Sequence, residues 1–336
     1  MKRIPPASLA RRRWLASAAA MTLPAGFSAG AAAQAAWPNR PIRWVVPYVA
    51  GGLSDSLARL VGQELSQRVG QPVIIDNKAG AAGNIGTDFV AKSAPDGHTI
   101  VLGNIGPISV SQSLYPTLPY DPERDLAPIS MLVAYPNVLL VRPDFPARTV
   151  REFIAHAKAQ DKPLTYGTPG VGTSVHLAGE LFARTAGIRM LHIPYKGGGT
   201  ARIDAMSGRV DATIEAAGSG SMELVQGGKL RALAITSAER SALLPGVPTI
   251  AESGGPFANF DVTGWIGVLA AAATPPAILS RLVAETTAVL QMAGVAKKIA
   301  EWGAIPPMGP EHFAKVIRSE SRRWRDVVQS AGIKLE

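Results

Sequence analysis

The chain has 336 residues, enough for two domains that each bury a core; 47% hydrophobic and 18% charged residues, with 34 glycines and 27 prolines spread along its length, describe an ordered globular protein. Its net charge of +9 is concentrated in Lys2, Arg3, Arg11, Arg12 and Arg13; without them 29 basic residues face 25 acidic ones, and no basic run is interleaved with aromatics, so nothing supports DNA or RNA binding. The absence of cysteine excludes disulfides, thiolate metal sites and a lipoprotein anchor, and is harmless in an oxidising compartment.

Residues 1–35 read as an export signal: a basic start, an apolar stretch from Trp14 to Leu23, a break at Pro24, and small residues ending Ala33-Gln34-Ala35, with cleavage expected after Ala35. The order Arg11-Arg12-Arg13-Trp14-Leu15 fits a twin-arginine signal and fits equally a basic Sec leader. Pro24, Ser28 and many Ala and Gly make this segment a poor spanning helix, and no other run approaches the roughly 20 apolar residues a span needs, so a soluble periplasmic protein is expected.

From Ile42 onward short β-rich runs alternate with helical ones, the pattern of mainly parallel sheets flanked by helices. Arg43–Tyr48 is the first strand; Ser54–Val69 follows as a helix with Leu57, Leu60, Val61 and Leu65 on one face, Ser54 as its N-cap and Asp55 in its first turn. Strand 73–77 leads through the Gly-rich turn 79–83 into helix 84–93, and 99–103 returns as a strand. The Pro-rich passage 116–128 reads as surface loop, and the long apolar strand 129–141 as a crossing between lobes.

Thr149 opens the next helix with a capping box completed by Glu152. Beyond it come strand 164–167, helix 174–186 stopped by Gly187, strand 190–194, helix 200–206, and strands 210–214 and 230–236. A second crossing is expected at 261–269, then helices 275–292, 295–302 and 310–331 that pack back on the first lobe. The expected division is 36–136 plus 265–336 for lobe 1 and 137–264 for lobe 2.

Two loops are Gly-rich, follow a strand and open a helix: Pro47-Tyr-Val-Ala-Gly-Gly-Leu-Ser-Asp55 and Tyr166-Gly-Thr-Pro-Gly-Val-Gly-Thr-Ser174. Backbone N–H groups at a helix N-terminus, approached closely across glycines, bind an anion without a cationic side chain, and the hydroxyls of Ser54, Thr173 and Ser174 add donors. A side chain at Gly52 would block that approach, and would be strained if the turn takes a positive φ there.

With these residues in view, 36–336 resembles along nearly its whole length the Bug family of tripartite tricarboxylate transporter substrate-binding receptors. The stretches that carry the resemblance are Trp37-Pro-Asn-Arg-Pro41, Pro47-Tyr48 with Gly51-Gly52, Ala79-Gly-Ala-Ala-Gly-Asn-Ile-Gly86, Ala94-Pro-Asp-Gly97, Tyr166–His176, His192-Ile-Pro-Tyr-Lys-Gly-Gly198, Gly208-Arg-Val-Asp211 and Lys229–Ala234. The resemblance implies an α/β, two-lobed periplasmic binding protein of type II, a Venus flytrap holding a small carboxylate between its lobes, with membrane permease subunits as partners and the receptor itself a monomer. Carried over by position, it points to Tyr48, Gly51, Gly52 and Ser54 in the first loop, Thr168, Gly172, Thr173 and His176 in the second, and Asn104 near the cleft. Ser54 stands where Thr is more usual and keeps the hydroxyl. Where relatives show Asp or Asn followed by bulky residues, this chain has Glu215-Ala-Ala-Gly-Ser-Gly220; Glu215 either selects a ligand amine or repels a second carboxylate, or else points to solvent.

The residues of an enzyme are missing from the sequence. His98, His156, His176, His192 and His312 include no pair at zinc spacing, Gly218-Ser-Gly-Ser makes no nucleophile elbow, and 80–86 has the wrong spacing for a dinucleotide loop. No cofactor, metal or catalytic residue is therefore expected. The remaining rival is a ligand sensor docking on a membrane signalling protein, which sequence does not separate from uptake.

Overall fold

The computed structural model describes Met1 and residues 37–195, 198–218, 220–304, 306 and 308–331. The expected leader and its cleavage point lie outside the described residues, as do Lys196, Gly197 and Ser219. Met1–Trp37 is a separate unit from Pro38–Glu336.

The second unit begins with β1 (Ile42–Val46), α1 (Leu53–Val69), β2 (Val73–Asn77), α2 (Asn84–Ala91) and β3 (Thr99–Asn104). β1 pairs in parallel with both β2 and β3. On α1 the buried Leu57, Ala58, Val61 and Leu65 recur at helical spacing, and Gly62 lets Ile75 and Trp44 close in. The chain leaves this helix through Gly70 at φ +72, a conformation that favours glycine.

Short helices α3 (Ser111–Leu114) and α4 (Pro122–Asp125) precede the 16-residue β4 (Leu126–Val141). The passage expected as loop thus contains a helical turn, because Asp121 accepts the N–H groups of Glu123 and Arg124 and Pro122 is preset for a first helical position. β4 is shared by two sheets: from Leu126 to Pro136 it pairs antiparallel with β9 (Thr263–Ala271), and from Asn137 onward with β7 (Ala212–Ala216) and β8 (Arg231–Ile235). The strand order runs β2-β1-β3-β9-β4-β7, then β5 (Leu164–Thr168) and β6 (Met190–Pro194), with β8 also on β4. This is the two-lobed α/β architecture, one sheet to each lobe.

The second return between the sheets lies just ahead of β9. Thr236 N–H donates to Asn137 O and Val262 N–H to Thr236 O, while the Asn137 side-chain amide donates to Val262 O at 3.1 Å and to Thr236 Oγ1 at 3.2 Å. All three residues are fully buried, so the two crossing segments are tied to each other.

The helices of the second lobe are α5 (Val150–Lys158), α6 (Ser174–Ala186), α7 (Gly198–Ser207) and α8 (Ser221–Gln226). Of the closing helices, α9 (Pro276–Leu290) packs on α1 and α10 (Ala293–Ala300) on both. The last, α11 (Pro310–Ala331), lies on β4 and α3 and also reaches α6, where the Arg184 guanidinium donates to Ser330 O. It therefore touches both lobes rather than the first alone. One hydrophobic core runs from Val45 and Val101 through Trp265 and Trp324 to Phe153 and Phe182.

Candidate functional site

The first Gly-rich loop begins α1 two residues before the expected cap. Gly52, at φ −85 and ψ 176, is the N-cap, and Ser54 lies inside the first turn. Asp55 does the stapling instead: its Oδ2 accepts Gly51 N–H at 3.0 Å, which Gly51 can present because it takes φ +88. The positive φ sits at Gly51 and not at Gly52, and nothing lies within 4 Å of where a Cβ would stand on either.

Asp55 is buried and also receives Arg59 Nε and Asn77 Nδ2, each at 3.0 Å, while the same Asn77 amide donates to Tyr48 O at 3.0 Å. Burial pushes the Asp55 carboxyl upward, but the bonds from Arg59, Gly51 and Asn77 outweigh it and hold the group below its ordinary range. The first helical bond is Ser56 N–H to Gly52 O, so the N–H groups of Leu53, Ser54 and Asp55 precede the ladder beside two exposed glycines.

Tyr48 and Asn104 meet at the end of this loop. The phenol donates to Asn104 Oδ1 at 2.8 Å, and the same oxygen accepts Gly106 N–H at 3.2 Å. A backbone N–H only donates, which fixes the orientation of the amide. Burial raises the Tyr48 phenol well above its ordinary value and pushes that of the neighbouring Tyr135 up to about 12, so both act as neutral hydroxyls. Beside them Ala81 and Ala82 take φ +45 and +55, a left-handed conformation that costs an alanine about 1–2 kcal/mol each.

The second loop is held from within. Thr173, the N-cap of α6, accepts His176 N–H and donates its proton to Gly170 O at 2.7 Å. Thr168 Oγ1 lies 2.6 Å from His192 Nε2 and accepts Gly170 N–H at 3.2 Å. Gly172, at φ +77, donates its N–H to His176 Nδ1 at 3.1 Å. His176 is buried, and its ring lies against that of His192 with centroids 4.1 Å apart. In this conformation the Thr173 proton and His176 Nδ1 brace the loop rather than stand free.

The structure brings the two loops' surroundings together. A Cβ at Gly106 would fall 3.0 Å from Gly172 O, and one at Gly172 would lie 3.5 Å from Leu114 and 3.8 Å from the Ala82 side chain. Glu215, near the C-terminal end of β7, does not point to solvent. It is 2% exposed, and Arg202 grips it through Nε at 3.0 Å from each carboxylate oxygen and Nη2 at 2.9 Å from Oε2. Burial raises the Glu215 carboxyl more than Arg202 lowers it. Gly220, at φ +71, makes room for this guanidinium, since a Cβ there would fall 2.6 Å from Nη1.

Asn77 and the capping role of Asp55 were not singled out from sequence; a polar residue closing a parallel strand and an acid three residues after a glycine pair were the available signals. Among the described residues no group of three or more His, Asp or Glu side chains is placed to hold a metal ion.

Two sheets joined through crossing strands, each presenting a glycine turn at a helix N-terminus, define a two-lobed solute receptor of the type II periplasmic binding class. A family model described as the tripartite tricarboxylate transporter family receptor matches residues 57–333, and the chain belongs to that family. The protein BugT of Bordetella pertussis is 38% identical over 314 residues, covering 93% of this chain and 95% of BugT. A Rhodopseudomonas palustris protein solved with adipate superimposes with a TM-score of 0.81 at 36% identity, over 89% of this chain and 99% of its own. MatC of the same organism, solved with bound malate, gives 0.80 at 32% identity, over 87% and 99%. The chain is a solute-binding receptor and not an enzyme.

Proposed function

We propose that this receptor works in the periplasm, closes lobes 36–136 plus 265–336 and 137–264 around a small carboxylic acid, and delivers it as a monomer to the permease subunits of a tripartite tricarboxylate transporter. The observation that carries the reading is the turn at Gly51-Gly52, where the backbone N–H groups of a long helix stand beside two glycines with open space around them. The adipate and malate held by two structural neighbours support a carboxylate as the ligand class.

The proximal carboxylate rests on the N–H groups of Gly52–Ser54 and is faced across the cleft by the turn Gly172-Thr173, whose Gly172 N–H is held by His176 Nδ1, with Tyr48 and Asn104 between the loops and Thr168 and His176 behind the second. Glu215, paired with Arg202, bounds the distal end with its charge countered, so it neither selects a ligand amine nor repels a second carboxylate. A thermal-shift screen across C3 to C6 mono- and dicarboxylates tests the reading, since a ligand at 100 times its Kd adds about 2.7 kcal/mol of stability. Sulfonates and amines serve as controls; a panel in which no carboxylate raises Tm refutes it.

A further inference from the structure

The imidazoles behind the second loop have a role that neither the motif resemblance nor the anion-binding turn assigns. We propose that His192 is a positioning residue: half-buried itself, it forms with the buried His176 a stacked imidazole pair that sets the conformation of 168–174. This rests on the reading that the loop contacts the solute, although the geometry of the pair stands without it.

The two rings take hold of the loop at two points. His192, on β6, meets Thr168 Oγ1 at 2.6 Å, and that oxygen in turn receives Gly170 N–H. His176, on α6, receives Gly172 N–H on Nδ1 at 3.1 Å. Between these anchors the chain takes φ +148 at Gly170 and +77 at Gly172; Thr168 and Thr173 hold Gly170 from within the loop, and the two imidazoles hold Thr168 and Gly172 from outside it. The rings face each other at 4.1 Å and 35°, so displacing one removes the wall behind the other.

The protonation state follows from the bonds. Because a backbone N–H can only donate, His176 Nδ1 must be bare and its proton must sit on Nε2, on the side facing Glu180 Oε1 at 4.0 Å. That carboxylate oxygen already accepts the Tyr166 hydroxyl at 2.6 Å. A second proton on His176 would set two donors against each other and push Gly172 out of place. Burial, which lowers His176 to about 3 and His192 to about 4, keeps both rings neutral and so keeps Nδ1 an acceptor.

The test pairs a ring without nitrogen against a side chain that restores one polar atom. His192→Phe preserves the stacking volume and removes the contact to Thr168; His192→Gln places an amide near the position of Nε2. Histidine ¹⁵N spectra at neutral pH are expected to show His176 with unprotonated Nδ1 in the wild type, and that signature is expected to shift in His192→Phe and return in His192→Gln. Titration with adipate and malate is expected to show at least a tenfold loss for His192→Phe, most of it recovered in His192→Gln, with circular dichroism unchanged. A protonated Nδ1 on His176 in the wild type, or wild-type spectra and affinity in His192→Phe, overturns the proposal. If the wild type takes no carboxylate, the functional reading fails on its own, and the ¹⁵N signature still decides the positioning role.

Discussion

Asp55 Oδ2 accepts the backbone N–H of Gly51 at 3.0 Å, so a carboxylate in the first turn of α1 holds the glycine turn that precedes it. Removing that carboxylate in Asp55→Ala takes the acceptor from Gly51 N–H and one of the two bonds of the Asn77 amide, which keeps Tyr48 O, at a cost of about 1–3 kcal/mol. Urea unfolding is expected to show that loss. Asp55→Asn, which keeps one acceptor oxygen, is expected to lose less, and Arg59→Ala less than about 1 kcal/mol, because the guanidinium is half exposed.

Stability is expected to fall on acidification in two stages. His176 and His192, at about 3 and 4 in the folded chain, take up protons only after the unfolded chain has done so near its ordinary value of about 6.5, so the unfolded state gains protons first and Tm declines as pH drops from about 6.5 toward 4. Asp55 has a lowered folded pKa; its contribution is complete above the unfolded value of about 3.9 and is lost as pH falls through the folded one. Calorimetric scans from pH 7.5 to 3.5 are expected to show the decline, and His176→Gln to show a shallower one. The raised Glu215 carboxyl works in the opposite direction in both proteins, so an equal pH dependence of Tm in wild type and His176→Gln would contradict the assignment of a neutral His176.

Thr173 caps α6 and closes its own loop onto Gly170 O. Thr173→Ala therefore costs the cap, roughly 0.5–2 kcal/mol, and loosens the turn that presents Gly172. Thr173→Ser keeps the oxygen and is expected to behave as wild type in both thermal unfolding and ligand titration. Equal losses in the two variants would place the role in the methyl group rather than the hydroxyl.

How far these features were legible in the sequence depended on the distance over which each is determined. The helix 174–186 and its stop at Gly187 were readable because such signals act within four residues, although Thr173 was read as a ligand donor and not as the cap it forms, and the long run into Val141 was readable as a crossing because its apolar length exceeds what one lobe needs. The cap of α1 was misread: Ser54 is the more usual capping type, and the competing carboxylate of Asp55 wins only because Gly51 turns to meet it. Contacts made in space were out of reach, since nothing in one sequence aligns Arg202 with Glu215 or His192 with Thr168. The same limit hid the reach of α11 onto α6.

The two neighbouring glycines of the first loop separate backbone strain from ligand approach, and that contrast tests the binding reading most directly. Gly51, at φ +88, is expected to tolerate no side chain: Gly51→Val strains the turn and lowers Tm. Gly52, at φ −85 with open space around its Cβ position, is expected to accept valine without loss of stability, yet the branched side chain then stands where a carboxylate oxygen approaches the helix N-terminus. Isothermal titration of wild type and Gly52→Val with the best carboxylate from the thermal-shift screen is the deciding measurement. The account predicts an unchanged Tm and a loss of affinity of at least a hundredfold, about 2.7 kcal/mol; a Gly52→Val variant that binds as tightly as wild type would contradict it.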